Sequence, residues 1–306
     1  MESNELLDGL RSAIVGRRRE LELLTAALQA RRHVLFEGPP GTGKSTILRA
    51  VAAASGTGLV FVEGNAELTP ARLAGQFDPS RVMAEGYTPE VFVDGPLVEA
   101  LRTGSLLYVE ELNRVPEETI NLLITVMSEG ELTLPRVGRV QAGEGFRLVA
   151  AMNPFDNIGT ARVSSAIYDR MSRISLAYQS FEEEREIVCL RVEPFEPTEA
   201  GETLLHRAVA VARATRRHPD LRIGSSVRGA IDLVEVATRL AQIRSAEIDD
   251  PTIGLDAALV AVSGRIRLHE GTDRTPEDVV TELWELVIGA EQSTSATDDP
   301  GKAPAP

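Results

Sequence analysis

The chain has 306 residues, 43% of them hydrophobic, with a formal net charge of −14; this is enough apolar material for one large or two modest cores. Its acidity disfavours nucleic acid as the main partner, because the short basic clusters at Arg17-Arg18-Arg19 and at Arg213, Arg216 and Arg217 form no stripe to offset it. A single cysteine, Cys189, excludes an internal disulfide, no apolar run reaches membrane-spanning length, and the acidic, polar start Met1-Glu2-Ser3-Asn4-Glu5 does not read as a signal peptide, so a cytoplasmic protein is expected.

Residues 1–30 predict amphipathic helix around a turn at Val15-Gly16, with Leu21, Leu24, Ala27 and Leu28 on one face. His33-Val34-Leu35-Phe36-Glu37 predicts a short buried strand, and Lys44 to Ala54 a helix. Between them, Gly38-Pro39-Pro40-Gly41-Thr42-Gly43-Lys44-Ser45 fits G-x-x-x-x-G-K-[ST], with Thr46 one step into the helix. Glycines there let backbone N–H groups converge on phosphate oxygens, and the helix N-terminus adds partial positive charge. Lys44 would reach the β- and γ-phosphates of a nucleoside triphosphate, and the Ser45 hydroxyl would ligate Mg²⁺.

Further strands are predicted at Leu59–Glu63, Ser105–Glu110, Arg147–Met152 and Arg173–Tyr178. Mostly continuous apolar runs of this kind suit a parallel sheet covered on both faces. The piece Thr69 to Pro96 is rich in Gly, Pro and charge and reads as an insertion with loops. Two acids, Glu110 and Glu111, stand where the third strand ends, and Asn153 stands where the fourth ends. Strand ends face the ligand crevice of a parallel sheet. There Glu110 would hold the metal's water shell, Glu111 would polarise an attacking water, and the Asn153 amide would bond the γ-phosphate or that water. A helix is expected over Glu117–Glu129.

From Ser180 onward the texture turns helical, over 182–192, 201–217, 226–244, 255–263 and 276–290, with no convincing strand. This gives an α/β nucleotide-binding core over 1–180, an all-helical domain over 181–290, and a disordered tail over 291–306. The four histidines lack metal-ligand spacing and read as packing or surface.

The phosphate loop, Val109-Glu110-Glu111-Leu112-Asn113-Arg114-Val115-Pro116 and Ala151-Met152-Asn153-Pro154, in that order, resemble the AAA+ ATPases, and within them the MoxR group. Tyr168-Asp169-Arg170-Met171 and Gly224-Ser225-Ser226-Val227-Arg228 extend the likeness over roughly residues 10–290. The resemblance implies a five-stranded parallel AAA+ core, a helical lid, and a ring of six copies that hydrolyses ATP with Mg²⁺. The implied role is to remodel or activate a protein client in chaperone fashion, often beside a von Willebrand factor A domain partner. It places Arg170 at the arginine-finger position, reaching a neighbouring copy's γ-phosphate, with Arg173 as the alternative. It places Arg228 as sensor 2, Asn65 as a restraint on the catalytic glutamate, and Val15-Gly16-Arg17 beside the adenine. The segment Gly130–Gly145 resembles the hairpin this group carries before Asn153. The group's usual residue at the Glu110 position is Asp, so a slow or non-hydrolysing assembly scaffold is the alternative reading, and a nucleic-acid motor a third.

Overall fold

The computed structural model describes residue 10 and residues 14–154, 164–193 and 198–297. The chain divides into two compact units between Ala177 and Tyr178.

The first unit is built on five parallel strands: β1 His33–Glu37, β2 Leu59–Glu63, β5 Leu106–Glu110, β8 Arg147–Met152 and β9 Met171–Ser175. They pair in the order β2-β5-β8-β1-β9, which bears out the expected five-stranded parallel sheet. β1, β5 and β8 are interior and buried nearly throughout, whereas the edges β2 and β9 alternate with solvent. That difference follows from position, since an interior strand covered on both faces has no polar side to show. One face packs Val34, Phe36, Leu106, Tyr108, Val149 and Ile174 against the helix Lys44–Ser55 and the helix Arg18–Gln29. The other packs Leu35, Leu107, Val109, Leu148 and Ala150 against the helices Pro96–Thr103 and Glu117–Glu129 and against Ile167.

Several expectations need adjustment. β9 occupies 171–175 rather than 173–178, because its register with β1 runs from His33↔Met171 to Glu37↔Ser175 and both strands stop together. Beyond that point Leu176 still donates its N–H to the Glu37 carbonyl at 2.7 Å. The 69–96 insertion is more ordered than loops. Its short strands β3 Gly75–Phe77 and β4 Phe92–Asp94 pair antiparallel, outside the main sheet. Phe77 nucleates it, with edge-on ring contacts to Tyr87 and Phe92. The 130–145 segment forms a hairpin of β6 Glu131–Leu134 and β7 Gly138–Gln141. His33 is structural: its Nδ1 accepts the Leu148 N–H at 2.9 Å, and burial, seconded by the Arg147 charge, lowers its pKa to about 4. The predicted first helix begins in part outside the described residues, at 1–9 and 11–13; the described helix is Arg18–Gln29.

The second unit carries the helices Phe181–Arg191, Glu199–Thr215, Val227–Arg244, Pro251–Val262 and Pro276–Thr297. Their starts are written locally: Ser180 and Glu183 form a capping box, Thr198, Ser226 and Asp250 cap with side-chain oxygens, and Pro251 occupies the first turn. Two strands that the helical periodicity hides, β10 Leu221–Ile223 and β11 Arg267–Leu268, form a small antiparallel pair. Leu205, Val209, Leu233, Val234, Ala257 and Val280 fill the core around Trp284. Trp284 donates its ring N–H to the Pro251 carbonyl at 3.1 Å, and a Cβ at Gly254 would stand 2.2 Å from its ring. The last helix extends past 290 to Thr297, where a tail was expected; residues 298–306 of that tail lie outside the described residues.

One buried acid organises this unit. Glu184, 3% exposed, pairs with Arg213 at 3.0 Å and Arg216 at 2.7 Å. Arg213 also holds the Gln179 carbonyl, and Arg216 holds the Ser225 carbonyl and stacks over Tyr178. Removing one member of a buried ion pair leaves the others uncompensated. Glu184→Ala is therefore expected to destabilise this unit by about 3–5 kcal/mol, read as a fall in the urea midpoint; an unchanged midpoint would contradict this.

Candidate nucleotide site

The phosphate loop leaves the end of β1 in the middle of the sheet. Its shape depends on glycines: Gly41 and Gly43 have φ of 73° and 85°, where a side chain is strained. Gly38 is needed for room instead, since a Cβ there would lie 2.2 Å from the Leu176 carbonyl oxygen. Gly38 donates its N–H to the Met152 carbonyl at 3.3 Å, which sets Asn153, the residue just after β8, beside the start of the loop. Thr42 closes the loop from within, donating its hydroxyl to the Pro39 carbonyl at 3.0 Å. Lys44 is buried, its Nζ 2.9 Å from the carbonyls of both Gly38 and Pro39. Pro40 and Thr46 are on the exposed rim.

The loop is braced by a residue just past the Val15-Gly16 turn. Arg17 is 8% exposed and left-handed at φ 59°. Its guanidinium donates to the Thr42 carbonyl at 3.2 Å and the Ala177 carbonyl at 2.6 Å. Val15 and Gly16 are thereby carried to the flank of the loop, where an adenine edge was expected. In the sequence Arg17 had counted as part of a basic cluster and of the segment beside the adenine, not as a brace for the loop.

Ser45 meets the end of β5. Its hydroxyl donates to Glu110 Oε1 at 2.8 Å and lies 3.2 Å from the Tyr108 hydroxyl. Tyr108 and Glu110 are two apart on one strand and so share a face. Burial pushes the Tyr108 phenol well above its ordinary pKa, so it stays protonated. The Glu110 side chain is long enough to reach the serine hydroxyl, with a buried phenol alongside. Two hard oxygens converging at one point suit Mg²⁺, which keeps its remaining places for water and phosphate oxygens. Among the described residues there is no cluster of three or more His, Cys, Asp or Glu side chains that could hold a metal without such help.

Glu111 turns away from the strand on a left-handed residue, φ 51°, and starts a short 3₁₀ turn, Leu112–Arg114. It is 40% exposed and pairs with Arg114 at 3.1 Å. The expected restraint by Asn65 is not what the structure holds, because that amide is used in its own turn, donating to the Glu63 carbonyl and accepting the Glu67 N–H. The neighbour that positions Glu111 is Gly64. Its N–H donates to the Glu110 carbonyl at 2.8 Å, and a Cβ there would come within 2.6 Å of the carbonyl oxygens of both Glu110 and Glu111. Overpacking of this kind costs about 1–3 kcal/mol. Gly64→Ala is accordingly expected to lower the urea midpoint and, by displacing Glu111, to lower turnover; a midpoint and rate both equal to wild type would contradict this.

Arg170 ends the helix Ser165–Arg170, 35% exposed, with Nε donating to Ser128 Oγ at 2.7 Å and Nη1 to the Ala166 carbonyl at 3.1 Å. Arg173 sits on β9, and its guanidinium is spent on Glu37 of its own chain. Of the two candidates, Arg170 is the one free of the sheet. Arg228 is exposed in the first turn of its helix in the second unit, behind the cap Ser226. There Gly224 approaches the backbone of Arg216 too closely for a Cβ, and Ser225 donates its N–H to Thr215 Oγ1 at 2.8 Å.

Residues 33–171 match the family described as AAA domain (dynein-related subfamily). The chain is 28% identical over 286 residues to the uncharacterized protein YeaC of Bacillus subtilis, spanning 86% of each. It is 28% identical over 273 residues to the gas vesicle ATPase GvpN1 of Halobacterium salinarum, spanning 84% of this chain and 77% of that protein. Among solved structures, the RuvB Holliday junction branch migration motor of Thermotoga maritima superposes with a TM-score of 0.53 at 19% identity, over 80% of this chain and 70% of that one. A likeness at that identity shows the fold alone. Among the described residues no helix is long and apolar enough to cross a membrane.

Proposed function

We propose, from the match of residues 33–171 to an AAA domain, that this chain is an AAA+ ATPase that hydrolyses ATP in the manner of the MoxR group and spends the energy on a protein client. The observation that carries this reading is the meeting of the phosphate loop with the end of β5: Ser45 on Glu110 at 2.8 Å, with Glu111 the next residue along. The family match over 33–171 and a relative named a gas vesicle ATPase support it.

Each side chain then has a task. The backbone N–H groups of Gly41 to Ser45 and the helix N-terminus cradle phosphate oxygens. Lys44 exchanges its bonds to the Gly38 and Pro39 carbonyls for the β- and γ-phosphates. Ser45 and Glu110 would hold Mg²⁺, which would supply positive charge beside the phosphate oxygens. Glu111 accepts the proton of the attacking water on its carboxylate, and Asn153 orients that water or the γ-phosphate. Arg170 of a neighbouring copy supplies positive charge to the equatorial oxygens as the bond to the leaving group lengthens. By the resemblance, Arg228 is proposed as a further contact to the nucleotide phosphates. The assembly would be a ring of six, with a protein partner that carries a von Willebrand factor A domain as one candidate, and its setting the cytoplasm.

A specific observation favours a second reading, a slowly hydrolysing assembly scaffold. Glu110 replaces Asp, and Glu111 is already engaged by Arg114. Purified protein with ATP separates the two: Mg²⁺-dependent phosphate release supports the enzyme. No release, either alone or after Glu110→Asp, leaves the scaffold. Steeply salt-dependent binding to DNA or RNA would instead point to a nucleic-acid motor.

A further inference from the structure

The last residue of β1 carries an acid that no step above uses. Glu37 immediately precedes Gly38, and only 5% of its side chain is exposed. A buried carboxylate is costly unless it is paired and fully hydrogen-bonded. Here each oxygen has its own partner. Oε1 accepts the Tyr168 hydroxyl at 2.6 Å, and Oε2 pairs with Arg173 Nε. Tyr168 and Arg173 flank Arg170 in sequence: the tyrosine is on the same short helix, and Arg173 is on the strand that follows it. The phenol's pKa is pushed up to about 12, by burial first and by the adjacent carboxylate second, so it remains a donor.

The backbone runs the same way. Glu37 accepts the Leu176 N–H through its carbonyl, and Gly38 has no room for a Cβ against the Leu176 oxygen. The start of the phosphate loop and the end of β9 cannot move independently. The helix Ser165–Arg170 is only 6 residues long, so it has little rigidity of its own. Its orientation is set by what anchors it: Ile167 in the core, the Ser128 bond, and the Tyr168–Glu37 bond.

We infer that Glu37, Tyr168 and Arg173 form a bracket that positions Arg170 from the base of the same chain's phosphate loop, so that the finger offered to a neighbouring copy is registered by the offering subunit's own nucleotide site. These are positioning residues; they act through Arg170. The inference rests on the reading that Arg170 completes a neighbour's site.

The test uses two full-length variants that are each inactive alone. Glu111→Gln protein offers a finger but lacks the catalytic acid, and Arg170→Ala protein keeps the catalytic acid but offers no finger. Their mixture should recover turnover. Tyr168→Phe, which removes only one hydroxyl from a partly exposed ring, is then placed on one partner at a time. On the finger-offering partner it should cut the recovered turnover by about fivefold or more. On the hydrolysing partner it should change turnover by less than about twofold, with ATP affinity unchanged in both. Arg173→Met on the finger-offering partner should repeat the loss. Equal losses on both partners, or none on either, overturn the bracket and leave an ordinary structural contact. If the parent mixture recovers nothing, the shared-site reading itself fails, which is a different result from failure of the bracket alone.

Discussion

Glu111→Gln protein is expected to bind ATP as wild type does and to turn it over about 10²–10⁴-fold more slowly. The amide keeps the size and shape of the carboxylate but cannot take a proton from water. Nothing in the fold should suffer. Glu111 is 40% exposed, its ion pair with Arg114 is a surface pair, and such pairs contribute about 0–1 kcal/mol. The left-handed turn that aims it, φ 51°, is imposed by Gly64 and by the 3₁₀ turn behind it, neither of which depends on the acid. Single-turnover phosphate release beside nucleotide binding by fluorescence checks both halves. Turnover near the wild-type value would remove Glu111 from the chemistry.

Arg170→Ala is the second large effect. A fixed guanidinium on the equatorial oxygens is worth about 10³–10⁵ in rate, so loss of most turnover is expected while ATP affinity is kept. Affinity is kept because Arg170 is bonded to Ser128 and the Ala166 carbonyl, none of which belongs to the phosphate loop of its own chain. Arg170→Lys should restore little, since an ammonium cannot reproduce a planar fork of donors. Arg173→Ala should behave differently, because it strips Glu37 of one partner and loosens β1 against β9. A loss of stability accompanying any loss of rate would be its mark.

Much of the first unit could be read from its residues because its signals are local. β1, β2 and β8 fall where their apolar runs fall, at His33–Glu37, Leu59–Glu63 and Arg147–Met152. The phosphate loop, Ser45, Glu110, Glu111 and Asn153 are placed by motif, and the sheet order brings their strand ends together. What stayed hidden is non-local or very short. Glu37 meets partners 131 and 136 residues away, and Arg17 reaches carbonyls 25 and 160 residues away, distances at which no periodicity speaks. β10 and β11 have 3 and 2 residues, too few to show alternation against helical surroundings. Gly64 follows β2 with no motif to mark it, and only the folded chain reveals that its missing Cβ makes room for the Glu110–Glu111 turn. An acid closing an apolar strand directly before a phosphate loop was the one visible clue to the Glu37 bracket.

The central claim, a triphosphate cleaved between copies with Glu111 from one and Arg170 from the next, is tested most directly by mixing Arg170→Ala with Glu111→Gln protein at micromolar concentration with ATP and Mg²⁺. Recovery of hydrolysis well above the sum of the two parents is the predicted result. Hydrolysis no greater than that sum, at every mixing ratio and with assembly of both proteins verified by sedimentation, would contradict it.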